Sequence, residues 1–177
     1  MGQVCVNLSR VIAPRHRYNE VVDALATYYG SIQVGDPFDE SIDQGPLAAV
    51  RARDRVERYV DVAKKEGASV VTGGHRPAHL NRGWFYSPTL LAEVTNDMTI
   101  AQEEVFGPVT AVIAHDGIED AINIANDSRF GLACSIYTKD KETALNAARK
   151  IRSGAVAINC AGVSLTQPFG GYKQSGW

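Results

Sequence analysis

Apolar residues recur along the chain in two alternating rhythms, short β-branched runs and stretches with three- and four-residue spacing. Arg10 to Ala13 is a brief apolar run closed by Pro14, after which Tyr18, Val21, Val22, Leu25, Tyr28 and Tyr29 return at helical steps. That predicts a strand followed by an amphipathic helix. Gly30, Gly35-Asp36-Pro37-Phe38-Asp39 and Gly45-Pro46 mark a turn-rich connection. A second helix is predicted from near Leu47 to Gly67, its inner stripe Leu47, Val50, Val56, Tyr59, Val60 and Ala63. Gly67 then leads into a short strand, Ser69 to Thr72, and Gly73 to Gly83 reads as a loop. Trp84-Phe85-Tyr86 and Leu90-Leu91 read as extended segments around Pro88.

Val109 to Ala114 is β-branched and apolar without alternation, as in strands buried on both faces. Asp116, three residues ahead of Glu119, predicts a capping pair for a helix that buries Ile118, Ala121, Ile122 and Ala125. A further cycle follows: strand Leu132 to Tyr137, helix Asp140 to Arg152 on Ala144, Leu145, Ala148 and Ile151, and strand Ala155 to Asn159. Such alternation calls for right-handed crossovers and predicts a three-layer α/β fold, a largely parallel sheet flanked by helices, in one domain spanning 1–177. Both ends read as cut rather than capped, since Met1 stands directly before one motif and Trp177 closes a glycine-rich one.

A chain of 177 residues, 45% apolar and 21% charged, can bury a core without disulfides or a structural metal. The net charge of −2, with acids and bases interspersed, leaves no stripe to neutralise phosphates, so nucleic acid is excluded as a partner. The densest basic stretch, Arg51-Ala52-Arg53-Asp54-Arg55, reads as the solvated face of the second helix. No window approaches the roughly 20 apolar residues of a membrane span, and the N-terminus has no signal-peptide core, so no membrane partner is expected. Three cysteines, Cys5, Cys134 and Cys160, without CxxC spacing, argue against disulfides and point to a reducing, cytoplasmic compartment. Cys134 and Cys160 read as small core residues of apolar strands. The four histidines lack ligand spacing, and His75 and His79 fall in a loop, so no metal is expected.

Gly2-Gln3-Val4-Cys5-Val6-Asn7-Leu8-Ser9-Arg10 resembles the GQxCxxxxR segment around the nucleophile of NAD(P)-dependent aldehyde dehydrogenases. Further segments resemble that family in its own order: Gly35-Asp36-Pro37 with Gln44-Gly45-Pro46, then Glu103-Glu104-Val105-Phe106-Gly107-Pro108-Val109, then Pro168-Phe169-Gly170-Gly171-Tyr172-Lys173-Gln174-Ser175-Gly176. The resemblance covers essentially the whole chain and implies the family's C-terminal catalytic domain.

The chemistry explains why such residues belong there. Hydride leaves a carbonyl carbon only once that carbon is tetrahedral; a thiolate makes it so by adding to the aldehyde, and collapse of the thiohemiacetal yields a thioester that water hydrolyses to the acid. The resemblance implies that Cys5 is this nucleophile, that Glu104 accepts hydrogen bonds from a ribose of NAD or NADP, and that Phe106 lies near the nicotinamide ribose. It implies that Phe169 belongs to the wall of the aldehyde entrance, with Gly162 and Ser164 in the loop lining it, while Gly170 and Gly171 read as freedom at a turn.

The family's dinucleotide-binding domain, its oxyanion-stabilising asparagine and its general-base glutamate do not precede Gly2, so the chain by itself is expected to be inactive or weakly active. Its expected partners are a small-molecule aldehyde, further copies of itself in a homo-oligomer, and a separate N-terminal dinucleotide-binding half. Two alternatives stay open: a non-catalytic binding or assembly module that keeps the fold, and an acylating dehydrogenase that passes the acyl group to coenzyme A.

Overall fold

The computed structural model describes residues 1–164 and 166–176. Contacts group the chain into two compact units, one of Met1–Val4 with Ser9–Ala114, the other of Cys5–Leu8 with the residues from His115 onward.

The first unit is built on four strands, β1 (Arg10–Pro14), β2 (Ser69–Thr72), β3 (Thr89–Ala92) and β4 (Val109–His115), in the order β1-β4-β3-β2. β3 and β4 run parallel, as the unbroken apolar run of β4 predicts, with Thr89 opposite Val109. β2 instead pairs antiparallel with β3. The loop between them carries no helix, and a parallel return needs a crossover, usually helical.

One face of the sheet packs against helix α1 (Tyr18–Ser31): Ala13, Leu90, Ala92 and Val112 enclose Val22, with Tyr18, Val21, Leu25 and Tyr29 at the border. The tyrosines place their hydroxyls on the sheet, Tyr18 donating to the Val112 carbonyl at 3.1 Å and Tyr29 meeting Thr110 Oγ1 at 2.5 Å. Burial raises the pKa of both phenols above the ordinary tyrosine value, so each stays protonated throughout the neutral range. Leu91 and Ala111 alternate to the opposite face and are also buried.

Helix α2 (Val50–Glu66) buries Ala52, Val56, Val60 and Ala63. It ends as predicted at Gly67, whose φ of 106° lets its N–H reach the carbonyls of Ala63 and Lys64. The glycine-proline motifs before α2 hold each other. Gly35 N–H donates to the Gln44 carbonyl at 3.0 Å, and the buried Gln44 amide donates to the Tyr86 carbonyl at 3.0 Å. These motif residues therefore serve the fold. A short helix, α3 (Thr99–Gln102), precedes β4.

The second unit contains α4 (Ile118–Asn126), β5 (Phe130–Gly131), β6 (Ala133–Ile136), α5 (Lys141–Lys150), β7 (Ala155–Ile158) and β8 (Tyr172–Lys173). β6 and β7 pair in parallel on either side of α5, the predicted strand-helix-strand unit, while β5 and β8 pair antiparallel. Asn126 ties the unit together: its amide bonds Lys150 carbonyl and Arg152 N–H at 2.9 and 2.7 Å, and its carbonyl accepts from Lys173 Nζ at 2.6 Å.

Several local expectations change, among them the burial of Val50 and Ile118, which are 42% and 46% exposed. The N-cap of α4 is Gly117, with no side chain capping it, and the Asp116 N–H donates to Asp120 rather than Glu119. The inner stripe of α5 is Ala144 and Ala147, with Leu145 38% exposed, because two small residues let the helix lie close. Cys160 is exposed in a bend beyond β7, not within a strand.

Asp140 caps α5, accepting from the Glu142 N–H and the Thr143 hydroxyl. These bonds, the hydroxyl's foremost, hold its carboxyl below the ordinary value of 3.8. A depressed carboxyl contributes stability above its unfolded pKa and loses it as pH falls through the folded one. Amide exchange across α5 is therefore expected to be faster in Asp140→Ala than in the parent at neutral pH. The two should converge as pH drops below the carboxylate range.

Candidate active site

The turn that follows α3 has a constrained backbone. Val105 is 5% exposed and points inward, Glu104 is exposed, and Phe106 adopts φ 56°. A non-glycine residue in this left-handed region costs about 1–2 kcal/mol, so the surroundings must impose it. They do so from several sides. The Pro108 carbonyl accepts from Thr89 N–H and the Gly107 carbonyl from Val109 N–H, both at 2.8 Å. A Cβ on Gly107 would lie 2.2 Å from Val56 Cγ2, so α2 rests directly on the turn. The Arg55 guanidinium lies 5.9 Å from the centre of the Phe106 ring.

Gly107→Ala is expected to destabilise the first unit by about 2 kcal/mol through overpacking against Val56. Val56→Ala removes the obstructing methyls. In urea melts, the double variant should therefore lose less than the two single losses added together, with a coupling of about 1 kcal/mol.

The segment leading to Cys5 meets the same turn. Gly2 has φ 64°, and a Cβ there would lie 2.1 Å from the Gly107 carbonyl oxygen; Gln3 Oε1 accepts from Ala48 N–H at 2.9 Å. No other residue fits at Gly2, for reasons of both conformation and space.

Cys5 itself belongs to the second unit, in a turn, exposed and with a free thiol. Phe169 belongs to the same unit and is 63% exposed. Of the predicted residues, Glu104 and Phe106 thus share one turn of the first unit, and Cys5 and Phe169 fall in the second. The glycines of Pro168–Gly171 act differently from expectation. Neither Gly170 nor Gly171 has a positive φ; close approaches are made by Gly171, whose Cβ would lie 2.7 Å from the Ser175 oxygen, and by Gly154, whose Cβ would lie 1.7 Å from the Gly170 oxygen.

The basic stretch of α2 is only in part a solvated face. The Arg53 side chain is 13% exposed and lies 5.2 Å over the Trp84 ring, and Arg55 has its Nε buried with no hydrogen-bond partner among the described residues. Helical spacing carried the signal, since Arg53 and Arg55 flank the buried Ala52 and Val56.

The first-unit turn suits one end of a nicotinamide cofactor. Glu104 offers an exposed carboxylate that can accept from paired ribose hydroxyls. Phe106 offers a ring held by its backbone, and the orphaned Arg55 Nε is the kind of buried donor that a bound polar group satisfies. Among the described residues no cluster of histidine, cysteine, aspartate or glutamate is arranged to hold a metal, and no helix is long and apolar enough to cross a membrane.

The aldehyde dehydrogenase family model matches residues 1–177. The chain belongs to the aldehyde dehydrogenase family. It is 43% identical over 175 residues to the geranial dehydrogenase of Castellaniella defragrans, covering 99% of this chain and 36% of that protein. It is similar to the crystal structure of Mycobacterium tuberculosis aldehyde dehydrogenase complexed with NAD+, with TM-score 0.96, 48% identity, and coverage of 98% of this chain and 36% of the other. A mutant betaine aldehyde dehydrogenase from Staphylococcus aureus, in complex with NAD+ and carrying a BME-modified cysteine, gives TM-score 0.96 at 39% identity, with coverage of 99% and 36%.

The chain thus spans just over a third of the length of these relatives. Two shallow hollows, of about 310 and 450 Å³, lie beside α1 and between α4 and α5; none of Cys5, Glu104, Phe106 and Phe169 lines either.

Proposed function

We propose that the 177 residues are the C-terminal catalytic domain of an NAD(P)-dependent aldehyde dehydrogenase, an α/β domain with helices on both faces of its main sheet, which oxidises an aldehyde to a carboxylic acid. The observation that carries this reading is the joint presence of an exposed, unpaired thiol at Cys5 and a backbone-strained Glu104–Phe106 turn within a chain that matches the family from end to end.

In this reading Cys5 is the nucleophile. Its thiolate adds to the aldehyde carbon, forming a carbon–sulfur bond and an oxyanion, and later carries the acyl group as a thioester that water hydrolyses. NAD or NADP, when bound, supplies the hydride acceptor. Glu104 accepts the ribose hydroxyls and so orients the cofactor, Phe106 flanks the nicotinamide ribose, and Phe169 contributes to the wall past which the aldehyde enters. The relatives seen with NAD+ support NAD as the cofactor. The expected partners are an aldehyde, further copies of the chain, and the family's dinucleotide-binding half. The three free thiols suit a reducing, cytoplasmic setting.

The test is NADH formation from NAD and a panel of aldehydes by the purified chain, alone and with an N-terminal half from a related aldehyde dehydrogenase. Silence alone with activity on addition supports the reading. Silence in both assays favours the alternative of a non-catalytic module.

A further inference from the structure

We propose that Arg55 is a positioning residue: stacked on the Phe106 ring, its guanidinium fixes the plane which that ring presents to the cofactor. The inference rests on the assignment of Phe106 to the nicotinamide ribose.

The first support is the distribution of charge on α2. An arginine normally finds a carboxylate for its planar fork. The carboxylates nearest in sequence are engaged elsewhere: Asp54 pairs with Arg53 at 3.2 Å and with Arg76 at 3.5 Å, and Glu57 pairs with Arg76 at 2.5 Å. Arg55 is left with the face of Phe106, 5.9 Å from the ring centre, and with a buried Nε that has no partner among the described residues. A partly buried guanidinium over an aromatic face is attracted by the ring quadrupole.

The second support is the register. Consecutive residues of α2 meet consecutive residues of the turn, Arg55 against the Phe106 ring and Val56 against the Gly107 backbone. The backbone at Phe106 is locked at φ 56°, yet a locked backbone leaves the side-chain torsions free. The guanidinium supplies the missing constraint on the ring. Arg53 over Trp84 is the same type of contact outside the motif, which makes it a built-in control.

The test is ring-labelled phenylalanine NMR on the whole chain, with Phe106 assigned through Phe106→Leu. In Arg55→Met the Phe106 signals should move toward those of a solvent-exposed phenylalanine such as Phe38, which is 95% exposed. Arg55→Lys should restore them in part and Arg53→Met should leave them in place. Unchanged Phe106 signals in a folded Arg55→Met chain overturn the proposal. Should that variant fold poorly, the contact is read from the other side: Phe106→Leu must abolish the upfield ring-current shift of the Arg55 side-chain protons, and its persistence overturns the proposal equally.

Titration with NAD+ of the chain assembled with a related N-terminal half separates this inference from the functional reading. Wild-type Phe106 signals should shift on binding, with affinity about tenfold weaker in Arg55→Met. Signals that ignore NAD+ yet collapse in Arg55→Met would sink the cofactor assignment and retain the clamp.

Discussion

Cys5→Ala is expected to abolish NADH formation by the chain assembled with a related N-terminal half, lowering the rate by at least about 10³-fold. That loss corresponds to about 4 kcal/mol of transition-state stabilisation. The argument is chemical rather than structural. Cys5 is exposed in a turn, so its sulfur fills no cavity, and alanine there should leave the melting temperature where it was. Without the thiol no tetrahedral adduct forms on the protein, and the carbonyl carbon has no electron pair to drive hydride departure. Cys134→Ala and Cys160→Ala bracket the result. Cys134 is half-buried on β6 and Cys160 is exposed beyond β7, and neither lies in a family motif. Both variants should keep the parent rate. Equal losses at Cys5 and Cys160 would mean that exposure alone, and not position, makes a thiol matter here.

Gly154→Ala is expected to destabilise the second unit by about 3 kcal/mol, the upper part of the range for overpacking. A Cβ at this position would lie 1.7 Å from the Gly170 oxygen, 2.6 Å from its carbonyl carbon and 2.9 Å from Gly171 Cα. All three are backbone atoms, so no rotamer change can relieve the contact. Gly154 is also held from its other side, its N–H donating to the Gly131 carbonyl at 3.0 Å. In a chain of this size the loss should appear as a fall in melting temperature of about 6–12 °C. Gly170→Ala is the control, because nothing stands within 4 Å of a Cβ there, and its stability should stay within about 0.5 kcal/mol of the parent. The Pro168–Gly171 stretch is thus shaped by a glycine outside the motif.

Much of the fold was legible in residue order. The helices α1 and α2, the αL stop at Gly67, the buried β4 and the β6-α5-β7 unit follow from periodicity and punctuation, which are local signals. What escaped was decided by distant partners. The antiparallel β2 depends on how a loop of more than a dozen residues returns to β3, and the exposure of Cys160 depends on β7 ending at Ile158. The candidate site was legible as motif and only partly as geometry. Glu104 and Phe106 fall together on one turn, yet the left-handed backbone at Phe106 has no marker in its own side chain. Arg55 was hidden in an apparently solvated run, because its partner lies some fifty residues along the chain. The role of Gly154 was hidden for the same reason, its obstruction being a carbonyl that belongs to another motif.

The most direct test of the central claim, that Cys5 is the nucleophile, needs no cofactor and no second domain. The purified chain is mixed with p-nitrophenyl acetate, an activated ester whose carbonyl a thiolate attacks, releasing p-nitrophenolate and leaving the acetyl group on sulfur. Peptide mass mapping then locates the acetyl group. A nucleophilic Cys5 gives one acetyl per chain, confined to the Gly2–Arg10 segment and absent in Cys5→Ala. Acetylation spread evenly over Cys5 and Cys160, which is also exposed, or found on Cys160 alone, would contradict the claim.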